Sequence, residues 1–135
     1  MRLRLALITF LLLAFTSLPA CAQWKWGRPR PPRAGACFYR DGNFQGDYFC
    51  LKVGERWPEM PRGFNDQISS IRIFGNARVR IFNDHNFQGF NVRLDRSVDS
   101  LVRIRLPQNP SKSWNDRISS ISVYVDHDDW DRRHP

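Results

Sequence analysis

The chain repeats itself, and the repeat limits the folds open to it more than any other feature. Tyr39-Arg-Asp-Gly-Asn-Phe44-Gln-Gly46 recurs as Phe82-Asn-Asp-His-Asn-Phe87-Gln-Gly89, with an offset of 43 residues at the aromatic, Phe and Gly positions. Phe64-Asn-Asp-Gln-Ile-Ser-Ser70 recurs as Trp114-Asn-Asp-Arg-Ile-Ser-Ser120, now with an offset of 50. The second copy therefore carries seven extra residues between its landmarks, around Val102 to Lys112, where Pro107 and Pro110 predict a loop. A duplicated unit of this length is one supersecondary motif that buries its apolar face against its sister.

Each copy reads as short strands. Arg78 to Ile81 and Asn91 to Leu94 alternate polar and apolar residues, as half-buried strands do. Ile68, Ile71 and Ile73 in the first copy match Ile118, Ile121 and Val123 in the second. No window of a dozen residues carries a helical period, although Val98 to Leu106 has room for one helical turn. The fold class is all-β, with two similar four-stranded units sharing one core. Gly46 and Gly89 follow tight turns, where positive φ or a missing side chain is required. Phe44 and Phe87 are placed to fold back onto Tyr39 and Phe82, a structural lock on each hairpin.

Aromatic-x4-Phe-x-Gly, followed by Asn-Asp-x-x-Ser-Ser, with the pair present twice from about Cys37 to Val125, resembles the βγ-crystallin superfamily. The resemblance implies two Greek-key motifs packed as one β-sandwich, over residues 36–126. Two features depart from the family pattern: Phe82 in place of the more usual Tyr, and the seven-residue insertion.

The Asn-Asp-x-x-Ser-Ser segments gather carboxylate, amide, hydroxyl and carbonyl oxygens within six residues. Ca²⁺ takes six to eight oxygens at about 2.3–2.6 Å in a forgiving geometry, whereas zinc and copper want the thiolates or imidazoles that these segments lack. Asn, Asp and Ser also cap turns, so one such hexapeptide alone means little. The resemblance implies that the two segments work as a crossed pair. Ser69 and Ser119 would give hydroxyls, and Gln67 and Arg117 backbone carbonyls. Asp66 and Asp116, preceded by Asn65 and Asn115, would give carboxylates or shape the loops. The turns near Asp41 and Asp84 would complete the opposite sites, for two ions in all. Arg117 brings a cation to the second site and opposes binding there. Few charges surround each ion, so affinities of roughly 10⁻⁶ to 10⁻³ M are expected.

Residues 1–22 read as a secretory signal peptide: Arg2 and Arg4, an apolar run from Leu5 to Phe15, and Ala20-Cys21-Ala22 as the cleavage site. A lipoprotein box with Cys21 as the lipidated residue is the rival, disfavoured by Pro19. The expected destination is periplasm or medium. Residues 23–35 form a basic linker rich in Pro and Trp, and residues 127–135 a polar tail. Export makes Cys37 and Cys50 a pair in an oxidising compartment. A hairpin turning between Asn43 and Phe44 sets them opposite each other, compatible with a disulfide.

Without residues 1–22 the chain keeps 19 Lys and Arg against 13 Asp and Glu, a net charge of +6. A charged fraction of 25% is too ordinary for a disordered polyelectrolyte. Four of the cations, Lys25, Arg28, Arg30 and Arg33, fall in the linker, where Trp24 and Trp26 accompany them toward an anionic envelope surface. Arg72, Arg78, Arg80, Arg93, Arg103 and Arg105 look scattered over solvated strand faces, and no nucleic-acid motif appears. The chain is expected to be a monomer. The alternative function is inhibition of an extracellular metalloproteinase, because small crystallin-fold inhibitors share a cysteine pair around the first motif, with 102–113 as the candidate loop. An enzyme is disfavoured: there is no Gly-x-Ser-x-Gly, no His-Glu-x-x-His and no phosphate-cradling glycine loop.

Overall fold

The alternation of apolar and polar residues makes strands whose inner faces meet in one core. In the computed structural model the described residues are 30–126; the leader, most of the basic linker and the tail lie outside them. The strands are β1 (Gly35–Asp41), β2 (Gln45–Lys52), β3 (Arg56–Trp57), β4 (Ser70–Phe74), β5 (Arg78–Phe82), β6 (Asn91–Leu94), β7 (Arg105–Leu106), β8 (Asn109–Ser113) and β9 (Ser120–Tyr124). Two 3₁₀ turns, His85–Phe87 and Leu101–Arg103, are the only helical segments among the described residues. The last linker residues are already tied down, since the Ala34 carbonyl accepts the Val53 N–H at 3.2 Å.

One sheet has the order β2-β1-β4 and the other β3-β9-β5-β6, with every pairing antiparallel. The registers of the two halves match. Tyr39 faces Ser70 as Phe82 faces Ser120, and Cys37 faces Cys50 as Arg80 faces Arg93. The third strand of each half does not stay with its own unit but crosses to the sheet of the other, which ties the two similar units into one core. β3 pairs with β9 of the second half, through Trp57 and Ile121. Its counterpart, Val98, bridges to Ile71 on β4 of the first half.

The bridge also divides the length difference between the halves. Trp57 and Val98 are equivalent but only 41 residues apart, whereas the hairpins are 43 and the final strands 50 apart. The second half is thus two residues shorter before the bridge and nine longer after it. The extra residues are not a plain loop. They form the Leu101–Arg103 turn and a ribbon of β7 and β8, with Pro110 inside β8. Proline is tolerated there because a two-stranded ribbon leaves an outer edge whose N–H groups need no partner strand.

The shared core holds Phe38, Phe49, Leu51, Ile68, Ile71, Val79, Ile81, Leu101, Trp114, Ile118, Ile121 and Val123, all at most 1% exposed. Phe49 is its aromatic centre, stacked on Phe38 at 5.1 Å and Trp57 at 4.9 Å, and meeting Phe64 edge-on at 5.1 Å. A second cluster lies on the outer face of the first sheet, where Cys37, Tyr39 and Cys50 are buried under Phe44, Tyr48 and Phe74.

Cys37 and Cys50 form a disulfide across β1 and β2, with a sequence separation of 13. Closing a loop of this length restricts the unfolded chain by about 3 kcal/mol in the chain-entropy model. The Cys37→Ser/Cys50→Ser chain is therefore expected to melt roughly 12–24 °C lower than the parent, because about 1 kcal/mol moves the midpoint by about 4–8 °C in a domain of this size. Calorimetry of the two proteins in the absence of reductant checks this.

Candidate metal centre

Each Asn-Asp-x-x-Ser-Ser segment runs straight into a strand, β4 or β9, and each begins with a turn that Asp makes possible. Asp66 and Asp116 both sit at φ 53°, in the left-handed region that Asp and Asn enter more readily than most side chains. This sharp bend lays the two segments side by side. The Asp66 N–H donates to the Ile118 carbonyl at 3.3 Å, and the Asp116 N–H to the Ile68 carbonyl at 3.1 Å. The crossing carries the Asp116 carboxylate to the first segment, where Ser69 Oγ lies 3.3 Å from its Oδ1. The matching backbone bond sets Asp66 beside Ile118 of the second segment.

The two serines of each segment divide the work. Ser70 is fully buried; its Oγ donates to the Asp41 carbonyl at 2.6 Å and accepts the Phe44 N–H at 3.0 Å. Ser120 repeats this, donating to the Asp84 carbonyl at 2.6 Å and accepting the Phe87 N–H at 3.0 Å. These hydroxyls clip the hairpin turns to the segments. Ser69 and Ser119 are held by their backbones instead, donating N–H to the carbonyls of Tyr39 and Phe82 at 2.9 Å each. Each turn is also bolted by the other half, Asn43 N–H to the Asp99 carbonyl and Asn86 N–H to the Pro58 carbonyl, both 2.7 Å.

The remaining candidate residues fall into three groups. Asn65 and Asn115 each donate from Nδ2 to the neighbouring aspartate Oδ2, at 2.9 and 2.7 Å, and so orient those carboxylates. Gln67 and Arg117 are exposed beside Asp66 and Asp116. The Asp41 and Asp84 side chains lie over Gly46 and Gly89, at φ 78° and 75°. There a Cβ would fall 2.5 Å from Asp41 Oδ2 and collide with Asp84, so glycine leaves the room they occupy. Phe44 packs edge-on against Tyr39 at 5.8 Å, and Phe87 against Phe82 at 5.6 Å.

This donor set suits a hard cation. Among the described residues no three His, Cys, Asp or Glu side chains gather as a metal cluster, so any ion would be held by hydroxyl, carbonyl and amide oxygens with little carboxylate charge. Asn65 Oδ1 and, at the second turn, Asn83 Oδ1 are buried acceptors without a hydrogen-bond partner, and a cation or its water would satisfy such oxygens. The division of labour between the serines was hidden in the sequence. What gives it away is that Ser70 and Ser120 are the first residues of strands and face back along the sheet.

The Beta/Gamma crystallin family profile matches residues 33–105, more than half of the chain. The chain belongs to the βγ-crystallin family. Spherulin-3A of Physarum polycephalum is 30% identical over 93 residues, spanning 69% of this chain and 84% of that protein. A solved βγ-crystallin domain from Flavobacterium johnsoniae is 28% identical, with a TM-score of 0.55, and covers 69% of this chain and 97% of its own. The βγ-crystallin domain of Abundant Perithecial Protein from Neurospora crassa, solved in its Ca²⁺-bound form, has a TM-score of 0.57 at 20% identity over 73% of this chain and 97% of its own. At that identity the likeness is one of fold.

Two predictions follow from the turns. Ser70→Ala or Ser120→Ala removes two buried hydrogen bonds and is expected to cost about 1–3 kcal/mol, read by denaturant melts without added metal. The Tyr39 phenol is pushed up from its ordinary value, mainly by burial and then by Tyr48, with Arg72 acting against both. The folded state therefore favours the protonated phenol. That stability is whole below about pH 10, where the unfolded chain ionises, and is lost as pH climbs through the folded value. Denaturant melts between about pH 9 and pH 11 should show a decline that Tyr39→Phe flattens.

Proposed function

We propose that the chain is an exported Ca²⁺-binding βγ-crystallin in which two ions, one at each crossing of the Asn-Asp-x-x-Ser-Ser segments, stabilise the sandwich. It acts as a binding protein, not an enzyme. The observation that carries this is the approach of Asp116 Oδ1 to Ser69 Oγ, 3.3 Å across two segments 47 residues apart. A turn-making role accounts for the hydroxyls of Ser70 and Ser120, whereas the Ser69 hydroxyl turns away from the hairpin and donates across the crossing to the Asp116 carboxylate. The Ca²⁺-bound form of the Neurospora crassa domain supports the choice of ion. Export rests on the signal-like residues 1–22.

The first site would draw on Ser69 Oγ, the Asp116 carboxylate and carbonyls of the first turn and segment. The second would draw on Ser119, Asp66 and the second turn, weakened by the charge of Arg117. An ion that binds only the folded chain adds stability as RT ln(1 + [L]/Kd), about 2.7 kcal/mol at a hundredfold excess over Kd.

Calorimetric titration of Ca²⁺ into chelator-stripped protein, with a thermal melt at each end, is the test. Two saturable sites and a raised Tm are expected. Ser69→Ala should remove one site and Ser119→Ala the other, each with the metal-free Tm nearly unchanged. No binding at millimolar Ca²⁺ would reduce the segments to turn-makers and sink the reading.

A further inference from the structure

Strand β9 is buried on both of its faces. Ile121 and Val123 point into the core, so Ser122 and Tyr124 face outward, yet they are only 1% and 3% exposed. The equivalent strand β4 differs, because Arg72 is exposed there and Phe74 only half-buried. The opposite sheet packs on the inner face alone, so the outer face of β9 takes its cover from elsewhere.

That face is cationic. Arg80 of β5 and Arg56 of β3 flank Ser122, and Arg93 of β6 stands directly opposite Arg80. At the matching place the first sheet holds the Cys37–Cys50 disulfide. Two like charges face to face work against stability, so the row calls for negative charge close by. Arg56, Arg80, Arg93 and Tyr124 are all engaged within the chain, so the face is served by the polypeptide itself. One carboxylate of the required kind is Asp126, which pairs with Arg78 at 3.2 Å and also with Arg93. Asp126 lies in a turn two residues beyond the end of β9, so the chain does not run straight on from the strand. The sequence continues His127-Asp128-Asp129-Trp130-Asp131, with three more carboxylates in five residues.

We infer that residues 127–131 fold back across the outer face of the second sheet as an ion-paired strap, with Asp126 as its first anchor. The reach is sufficient. Five extended residues span about 17 Å, and β6 to β3 is three strand spacings, about 14 Å. Charge selects this terminus over the other, since residues 23–33 bring Lys25, Arg28, Arg30 and Arg33 and no acid. Trp130 adds a ring on which a guanidinium can stack. Arg132 and Arg133, which the row repels, end the strap. The strap ties the second sheet across its strands as the disulfide ties the first, but through charges that salt screens rather than a bond that reductant breaks.

Thermal melts of the full chain in chelator test the inference. Asp128→Asn/Asp129→Asn/Asp131→Asn is expected to lower Tm by about 4–8 °C at about 0.01 M salt. At about 1 M salt, where the Debye length is about 3 Å, the variant and parent should converge, which also shows that the variant is folded. Arg80→Gln reads the partner. It should lower Tm in the parent but not in the triple variant, where it only relieves repulsion from Arg93. Arg62→Gln, a cation outside the row, should have the same effect in both backgrounds. An unchanged Tm for the triple variant at low salt would overturn the strap. Equal coupling of Arg62 and Arg80 to the tail would overturn it in favour of diffuse net charge. A Tm difference that grows with protein concentration would place the tail on a second copy and overturn the intramolecular contact.

Discussion

Two reciprocal backbone hydrogen bonds, Asp66 to Ile118 and Asp116 to Ile68, join the halves at their crossing. Almost everything else is arranged around them. They require the left-handed bend at each aspartate, and across the crossing the Asp116 carboxylate reaches Ser69 of the other half. They also bring Ile68 and Ile118 together at the centre of the core, where both are fully buried. The candidate metal centre and the packing of the sandwich therefore share one geometric cause, and a change that opens the crossing damages both.

The hairpin turns hang from this crossing. Buried serine hydroxyls hold each turn to its own segment, and a carbonyl from the exchanged third strand of the other half holds it from behind. Each turn is thus fixed by two other stretches of chain that are remote from it in sequence. Such over-determination is what lets Asn43, Phe44, Asn86 and Phe87 persist at positive φ, which costs on the order of 1–3 kcal/mol for each residue so held.

Much of the fold was legible because its signals are local. The aromatic-x4-Phe-x-Gly hairpins, the glycines beside Asp41 and Asp84, the alternation on β5 and β6 and the Cys37–Cys50 register all follow from residues a few positions apart. The candidate centre was legible as a donor set, because the segments carry their oxygens in one hexapeptide each. What stayed hidden depends on pairing at a distance. β3 is two residues long and has no period of its own, so nothing in Arg56-Trp57 says that it joins β9. The net count of seven extra residues conceals a shortening and a longer insertion, which only the Val98 bridge separates. The alignment of Arg56, Arg80 and Arg93 across the second sheet was unreadable for the same reason, since it arises only through three separate registers.

The exchanged third strands bear on how such a chain could arise. Each half offers a groove for a partner's short strand and supplies a strand that fits the partner's groove. A single half therefore leaves its own interface unsatisfied, yet two identical copies would satisfy it completely about a true twofold axis. The architecture has the form of a symmetric dimer written in a single polypeptide. Its halves are equal in register but not in content: a covalent bond joins Cys37 to Cys50 where, in the other half, Arg80 stands opposite Arg93.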